Sequence, residues 1–223
     1  MKITIYHGSN KIIGKPIYGV GKPYNDYGLG FYCTKHLELA KEWSCIENVD
    51  GYVNQYEIEL NDLNILNLSN QEYTVLHWLA ILVEYRDFVV KSPIMNRAKS
   101  WLKNKFKIDL EPYDVIIGYR ADDSYFAFAK AFLNNEISLK QLSYAMHLGN
   151  LGEQIVLKSK RAFDCIQFQS YEFVDNKEYY PKRLARDRQA RNAFFKELEK
   201  EDLNGIFIRD LMREDVNAND PRL

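Results

Sequence analysis

Asp26-Tyr27-Gly28-Leu29-Gly30-Phe31-Tyr32-Cys33-Thr34 sets two glycines, one residue apart, in front of a run of aromatic and small polar residues. Residues 31–34 therefore read as a short strand, with Gly28 and Gly30 at its entry, where backbone can approach a ligand closely. The run opens a strand rather than a helix and lacks a third glycine, which excludes the dinucleotide fingerprint of the doubly wound fold. Upstream, residues 2–7 alternate and end in Gly8-Ser9-Asn10, the pattern of a strand followed by a turn. Between the two strands, Gly14, Pro16, Gly19, Gly21 and Pro23 mark a loop.

Downstream, residues 37–46 have helical spacing and residues 51–60 alternate as a strand. Helices are expected over 73–87, 96–107, 122–134 and 138–147, and strands over 114–119, 154–157 and 165–171. After Asn176, Lys182, Arg183, Arg186, Arg188, Arg191 and Lys196 punctuate a helical stretch. Residues 1–176 are thus expected to form the main body. Residues 177–223 read as a basic helical extension of the same domain, with Arg183, Arg186 and Arg191 facing an acidic partner or nucleic acid.

The 223 residues are 46% hydrophobic and 27% charged, enough to bury a sizeable core, and the formal net charge of −1 gives no global field toward nucleic acid or an anionic membrane. Three cysteines, at 33, 45 and 165, fit neither a disulfide framework nor a paired-thiol zinc site. The apolar run at 75–83 is interrupted by His77 and closed by Glu84, so no membrane span is expected. With no secretory pattern at Met1, the expectation is a cytoplasmic protein. His36, His77 and His147 share no ligand spacing with carboxylates or cysteines, and no metal site is expected. The serines lack a Gly-x-Ser-x-Gly elbow, which leaves a hydrolase triad without support.

Three separated segments place a polar or aromatic side chain beside glycine at a strand end: Tyr6-His7-Gly8-Ser9, Gly28-Leu29-Gly30-Phe31-Tyr32 and Gly152-Glu153-Gln154-Ile155. Together they resemble the ADP-ribosyltransferase superfamily, in its His-Tyr-Glu branch, to which the poly-ADP-ribose polymerases belong. The blocks at 6–9, 26–32 and 113–123 look closest to a bacterial domain of unknown function, family 3990. The resemblance spans residues 3–170 in discontinuous blocks. It implies an α+β fold, a split β-sandwich of two antiparallel sheets that forms an NAD cleft with helices around it.

The resemblance also implies roles. His7 would bond a hydroxyl of the adenine-side ribose, and the backbone of Gly8 would hold the nicotinamide carboxamide, with Ser9, Gly28, Gly30 and Phe31 completing the binding wall. Tyr32 would pack on the nicotinamide, and Trp43 would supply a second stacking aromatic. NAD+ is the implied substrate, cleaved at its nicotinamide-ribose bond. That transition state carries positive charge on the ribose, so a carboxylate is wanted, and Glu153 is the expected one. Gln154 is its rival, because neighbouring strand residues point to opposite faces and cannot both enter one cleft. Transfer of ADP-ribose to a protein or nucleic-acid acceptor follows, in a toxin neutralised by a small antitoxin. The alternatives are an NAD glycohydrolase, a binding module without catalysis, an RNA 2'-phosphotransferase and a nucleic-acid binder using the C-terminal helix.

Overall fold

In the computed structural model, all residues are described except 88, 90, 91, 122 and 148–152, with residues 123 and 124 described by backbone alone. Strand β1 (Lys2–Ser9) pairs antiparallel with β3 (Gly51–Glu59) from Lys2↔Glu59 to Ser9↔Tyr52, and β3 pairs with β7 (Ile166–Val174). On the other side, β2 (Phe31–Thr34) pairs with β6 (Glu153–Leu157), β6 with β5 (Val115–Tyr119), and β5 in parallel with β4 (Ile65–Asn67). The order is β4-β5-β6-β2-β1-β3-β7, a seven-stranded sheet. The expected pair of sheets is thus replaced by one connected sheet in a mixed α+β fold. Its weakest joint is β1–β2, whose ladder is the single pair Tyr6↔Thr34. Past that pair the two strands diverge, and the backbone edges facing each other there are left for other partners.

Both faces of the sheet carry core residues, while β7 at one edge is largely exposed. One face carries Ile5, Phe31, Cys33, Tyr56, Ile58, Val115, Ile117, Ile155 and Leu157. The other packs against helices, with Trp78, Leu79, Tyr125, Phe128, Phe132 and Val156 in its core. Helix α1 (Leu37–Ser44) lies on β1, so close that a Cβ on Gly8 would stand 2.1 Å from the Ala40 carbonyl oxygen. Glycine at position 8 is therefore required by packing, whatever ligand its backbone meets.

The remaining helices start where capping chemistry allows. Thr74 opens α2 (Val75–Tyr85) with a capping box closed by His77, which gives that histidine the structural role expected for it. Ser92 and Pro93 open α3 (Pro93–Lys105), three residues earlier than apolar spacing alone places it. α4 (Asp123–Leu133) and α5 (Leu139–Ala145) follow β5, and a short α6 (Lys160–Asp164) precedes β7. Whether Asp122 and Asp123 cap α4 is a question outside the described residues.

The C-terminal stretch forms α7 (Asn176–Leu198) and α8 (Ile208–Arg213). Of its basic side chains, Arg183, Arg186 and Arg191 are engaged within the protein, while Lys182, Arg188 and Lys196 are exposed. Arg186 grips Glu42 of α1 through two bonds of 2.7 and 2.6 Å, and Arg183 donates to the Cys45 carbonyl at 3.1 Å. Arg191 pairs with Asp187 on its own helix. Phe194 is buried against Phe128, their ring centroids 4.0 Å apart. The expectation of a free basic docking face is corrected accordingly: two of its three arginines hold α7 to the segment that carries Trp43. Among the described residues, no helix is long and apolar enough to cross a membrane.

Candidate functional site

Where β1 and β2 part, the structure opens a cavity of about 770 Å³, lined by His7, Gly8 and Ser9 of β1, by Gly30, Phe31 and Tyr32 at β2, by Trp43 and by Gln154 of β6. Residues from the three separated blocks therefore converge on one cleft. The loop between β1 and β2 closes one side with Ile13, Lys15, Ile17, Val20 and Lys22, while Arg86 and Arg120 reach in from the ends of α2 and β5. Four cationic side chains and one carboxylate, Asp26, line the cleft. Such a balance suits an anionic ligand with an apolar part.

His7 is the best-defined polar group of the wall. Its Nδ1 lies 2.7 Å from the Tyr32 carbonyl oxygen, and its ring stacks on Phe31 with centroids 4.3 Å apart. A carbonyl only accepts, so Nδ1 carries the proton and Nε2 of the neutral ring is an acceptor. Burial holds the imidazole below its ordinary pKa, so it stays neutral where a free histidine would charge. The carbonyl of His7 in turn accepts from Nδ2 of the fully buried Asn54 at 3.3 Å, and that amide also bonds the Lys11 carbonyl and the Ile13 amide. Tyr56 donates its hydroxyl to the Ile13 carbonyl. Asn54 and Tyr56, side by side in the sheet's third strand, thus anchor the loop that walls the cleft.

Tyr32 presents its ring, while its hydroxyl is committed elsewhere. It donates to the Gly28 carbonyl at 2.6 Å and accepts from the Tyr27 amide at 3.1 Å, and burial pushes the phenol well above its usual range. Gly28, expected in the binding wall, is not among the residues that line the cavity, and its conformation has a structural reason. It takes φ +73° in the turn that Tyr32 closes, and a Cβ there would lie 2.6 Å from the Tyr85 ring. Gly30 does line the cleft, but it too is pinned by packing, since a Cβ would lie 2.6 Å from Val156 Cγ1. Trp43 lines the cleft with one ring face covered by the Arg120 guanidinium, 3.9 Å from the ring centroid.

At β6, strand alternation decides between the two rivals. Gln154 is 3% exposed, lies between Thr34 of β2 and Gly118 of β5, and lines the cleft. Glu153 turns to the opposite face, where its carboxylate accepts from the Ser69 hydroxyl. Of the two rivals, Gln154 rather than Glu153 lines the cleft. Gly152, the first residue of that block, lies outside the described residues.

The Gln154 amide is held in one orientation. Its Nε2 donates to Asp26 Oδ2 at 2.9 Å and to the Tyr119 carbonyl at 3.0 Å, which uses both N–H bonds and leaves Oε1 as the remaining acceptor. Asp26 is 6% exposed; the same Oδ2 accepts from the Ala121 amide at 2.8 Å, and Oδ1 stands 3.6 Å from Arg86. Burial pushes its carboxyl above the usual value, against the pull of the Ala121 and Gln154 donors and of Arg86 and Arg120. Asp26 was visible in the quoted Asp-Tyr-Gly block but had no chemical role there. Arg86 and Arg120 each follow the end of an element; no motif includes Arg86, and Arg120 falls at a position that the 113–123 block leaves open. Among the described residues, no group of three or more His, Cys, Asp or Glu side chains is gathered as metal ligands.

Residues 3–168 match the family described as "Protein of unknown function (DUF3990)". No curated protein and no solved structure matches the chain.

Proposed function

The chain belongs to the DUF3990 family, and from that premise we propose that its cleft binds NAD+ and that the protein is a mono-ADP-ribosyltransferase. The observation that carries this reading is the convergence of His7, Tyr32 and Gln154 from β1, β2 and β6 on one cavity. The single-pair joint between β1 and β2 supports reading the sheet as two halves, β4-β5-β6-β2 and β1-β3-β7, hinged at the cleft as in a split ADP-ribosyltransferase sheet.

The chemistry each residue would supply follows from its state. Neutral His7 offers Nε2 to a ribose hydroxyl, the Gly8 backbone meets the carboxamide, and the Tyr32 ring packs on the nicotinamide. Lys15, Lys22 and Arg86 face the diphosphate. When the glycosidic bond lengthens, positive charge develops on the ribose, and the fixed Gln154 Oε1 turns the negative end of an amide dipole to it. The nucleophile of a protein or nucleic-acid acceptor then takes the ribose carbon, or water does so in a glycohydrolase. A toxin role with a small antitoxin belongs to the same reading.

Gln154 in place of a carboxylate favours one second reading, a module that binds NAD+ or ADP-ribose without turning it over. Calorimetric titration with NAD+, followed by assay of free nicotinamide, separates the two. Saturable binding with nicotinamide release supports the transferase, binding alone supports the module, and the lack of any binding rejects both.

A further inference from the structure

We propose that Asp26 is a positioning residue: its buried carboxylate fixes the Gln154 amide with the oxygen turned into the cleft, and it places a negative charge one hydrogen bond behind that oxygen. The inference rests on the NAD+ reading of the cleft and goes beyond it by locating the charge that Gln154 lacks.

Three observations carry it. The Gln154 amide has both N–H bonds on acceptors that cannot donate, Asp26 Oδ2 at 2.9 Å and the Tyr119 carbonyl at 3.0 Å, so a flipped amide would face two oxygens with its own. Asp26 is itself immobilised by the Ala121 amide at 2.8 Å. Finally, Arg86 stands 3.6 Å from Oδ1, farther than either of the two amides that bond Oδ2. Asp26 also lines the cleft.

The groups facing Asp26 are Arg86, Arg120, Gln154, Tyr27 and Tyr32, and the two tyrosines stay protonated because burial raises them. In the neutral-to-acid range Asp26 is then the group among these that changes charge. At saturating NAD+, kcat should fall on the acid side as Asp26 protonates, at a pH above the ordinary carboxylate value.

Asp26→Asn keeps the shape and one acceptor oxygen while removing the charge. The expected result is a kcat lower by about 10- to 100-fold, the range typical of partners one shell out at metal sites, with NAD+ affinity nearly unchanged and the acid limb of kcat gone. A proton-nitrogen spectrum without substrate supplies a readout independent of turnover. The Gln154 side-chain amide, identified by its loss in Gln154→Leu, should shift with acid pH in the wild type and cease to do so in Asp26→Asn. Unchanged kcat and an unchanged acid limb in an active protein would overturn the inference and leave the NAD+ reading standing. A wild type that releases no nicotinamide overturns the transferase instead. In that case the amide decides alone: titration with Asp26 retains the positioning role, and a pH-independent amide ends it.

Discussion

The Nδ1–H of His7 donates to the carbonyl of Tyr32 at 2.7 Å, joining β1 to β2 by a side chain beyond the one residue pair of their ladder. This bond fixes the tautomer that leaves Nε2 as an acceptor, and burial keeps the ring neutral. Structure and the proposed binding chemistry thus meet in one imidazole.

His7→Ala should weaken NAD+ binding by about 10-fold, the worth of one hydrogen bond, with no loss of cooperative unfolding. The pH dependence has a definite sign. Because the folded pKa lies below the ordinary 6.5, the unfolded chain takes up this proton first, and stability falls as pH drops from 6.5 toward the lowered value. NAD+ affinity should likewise be level above pH 6.5 and decline only below it, once Nε2 becomes a donor. Titration calorimetry at stepped pH checks this, and a decline centred at 6.5 itself would contradict the buried neutral ring.

Gly8→Ala should destabilise the fold. Its Cβ would meet the Ala40 carbonyl oxygen at 2.1 Å and the Ser44 nitrogen at 2.7 Å, both backbone atoms that cannot swing aside. Lifting α1 from β1 costs about 1 to 3 kcal/mol by analogy with overpacked cores, and it moves Trp43 away from the cleft. Denaturant unfolding measures the first effect and NAD+ affinity the second. A variant of wild-type stability would show that α1 shifts freely.

Arg186→Leu should cost on the order of 3 kcal/mol, because the Glu42 side chain, 6% exposed, is left as a buried charge without its partner. Arg188→Ala, at an exposed position on the same helix, is the control and should change stability by less than about 0.5 kcal/mol. Equal effects from the two would restore the view of α7 as a solvated basic extension.

Much of this was legible in the chain itself, because periodicity is a local property. Alternation found β1 and β3, strand-forming runs found β2, β5, β6 and β7 within a few residues, and helical spacing placed α1 to α5. The three-residue β4 was missed since its strand character comes from pairing with β5, far away in sequence. α6 and α8 are likewise too short for a period to register. The cleft's wall was readable from glycines and aromatics at strand ends. Its polar chemistry was not: alternation showed that Glu153 and Gln154 part company, but only the register with β2 and β5 says which one turns inward. Gly28 looked like a ligand contact because a turn glycine and a binding glycine carry the same letter. The arginines of α7 looked free because their partners Glu42 and Cys45 lie more than a hundred positions away.

The most direct test is release of nicotinamide from NAD+ by three proteins in parallel: the wild type, Gln154→Ala and Glu153→Ala. Loss of a preorganised group that faces the developing charge lowers turnover by about 100- to 1000-fold, whereas loss of a carboxylate on the far face of the strand leaves it nearly unchanged. The expected result is turnover by the wild type and by Glu153→Ala, with Gln154→Ala reduced to background while still folded. Turnover that survives Gln154→Ala and vanishes in Glu153→Ala would contradict the geometry of the cleft, and a wild type that binds NAD+ without releasing nicotinamide would contradict the transferase.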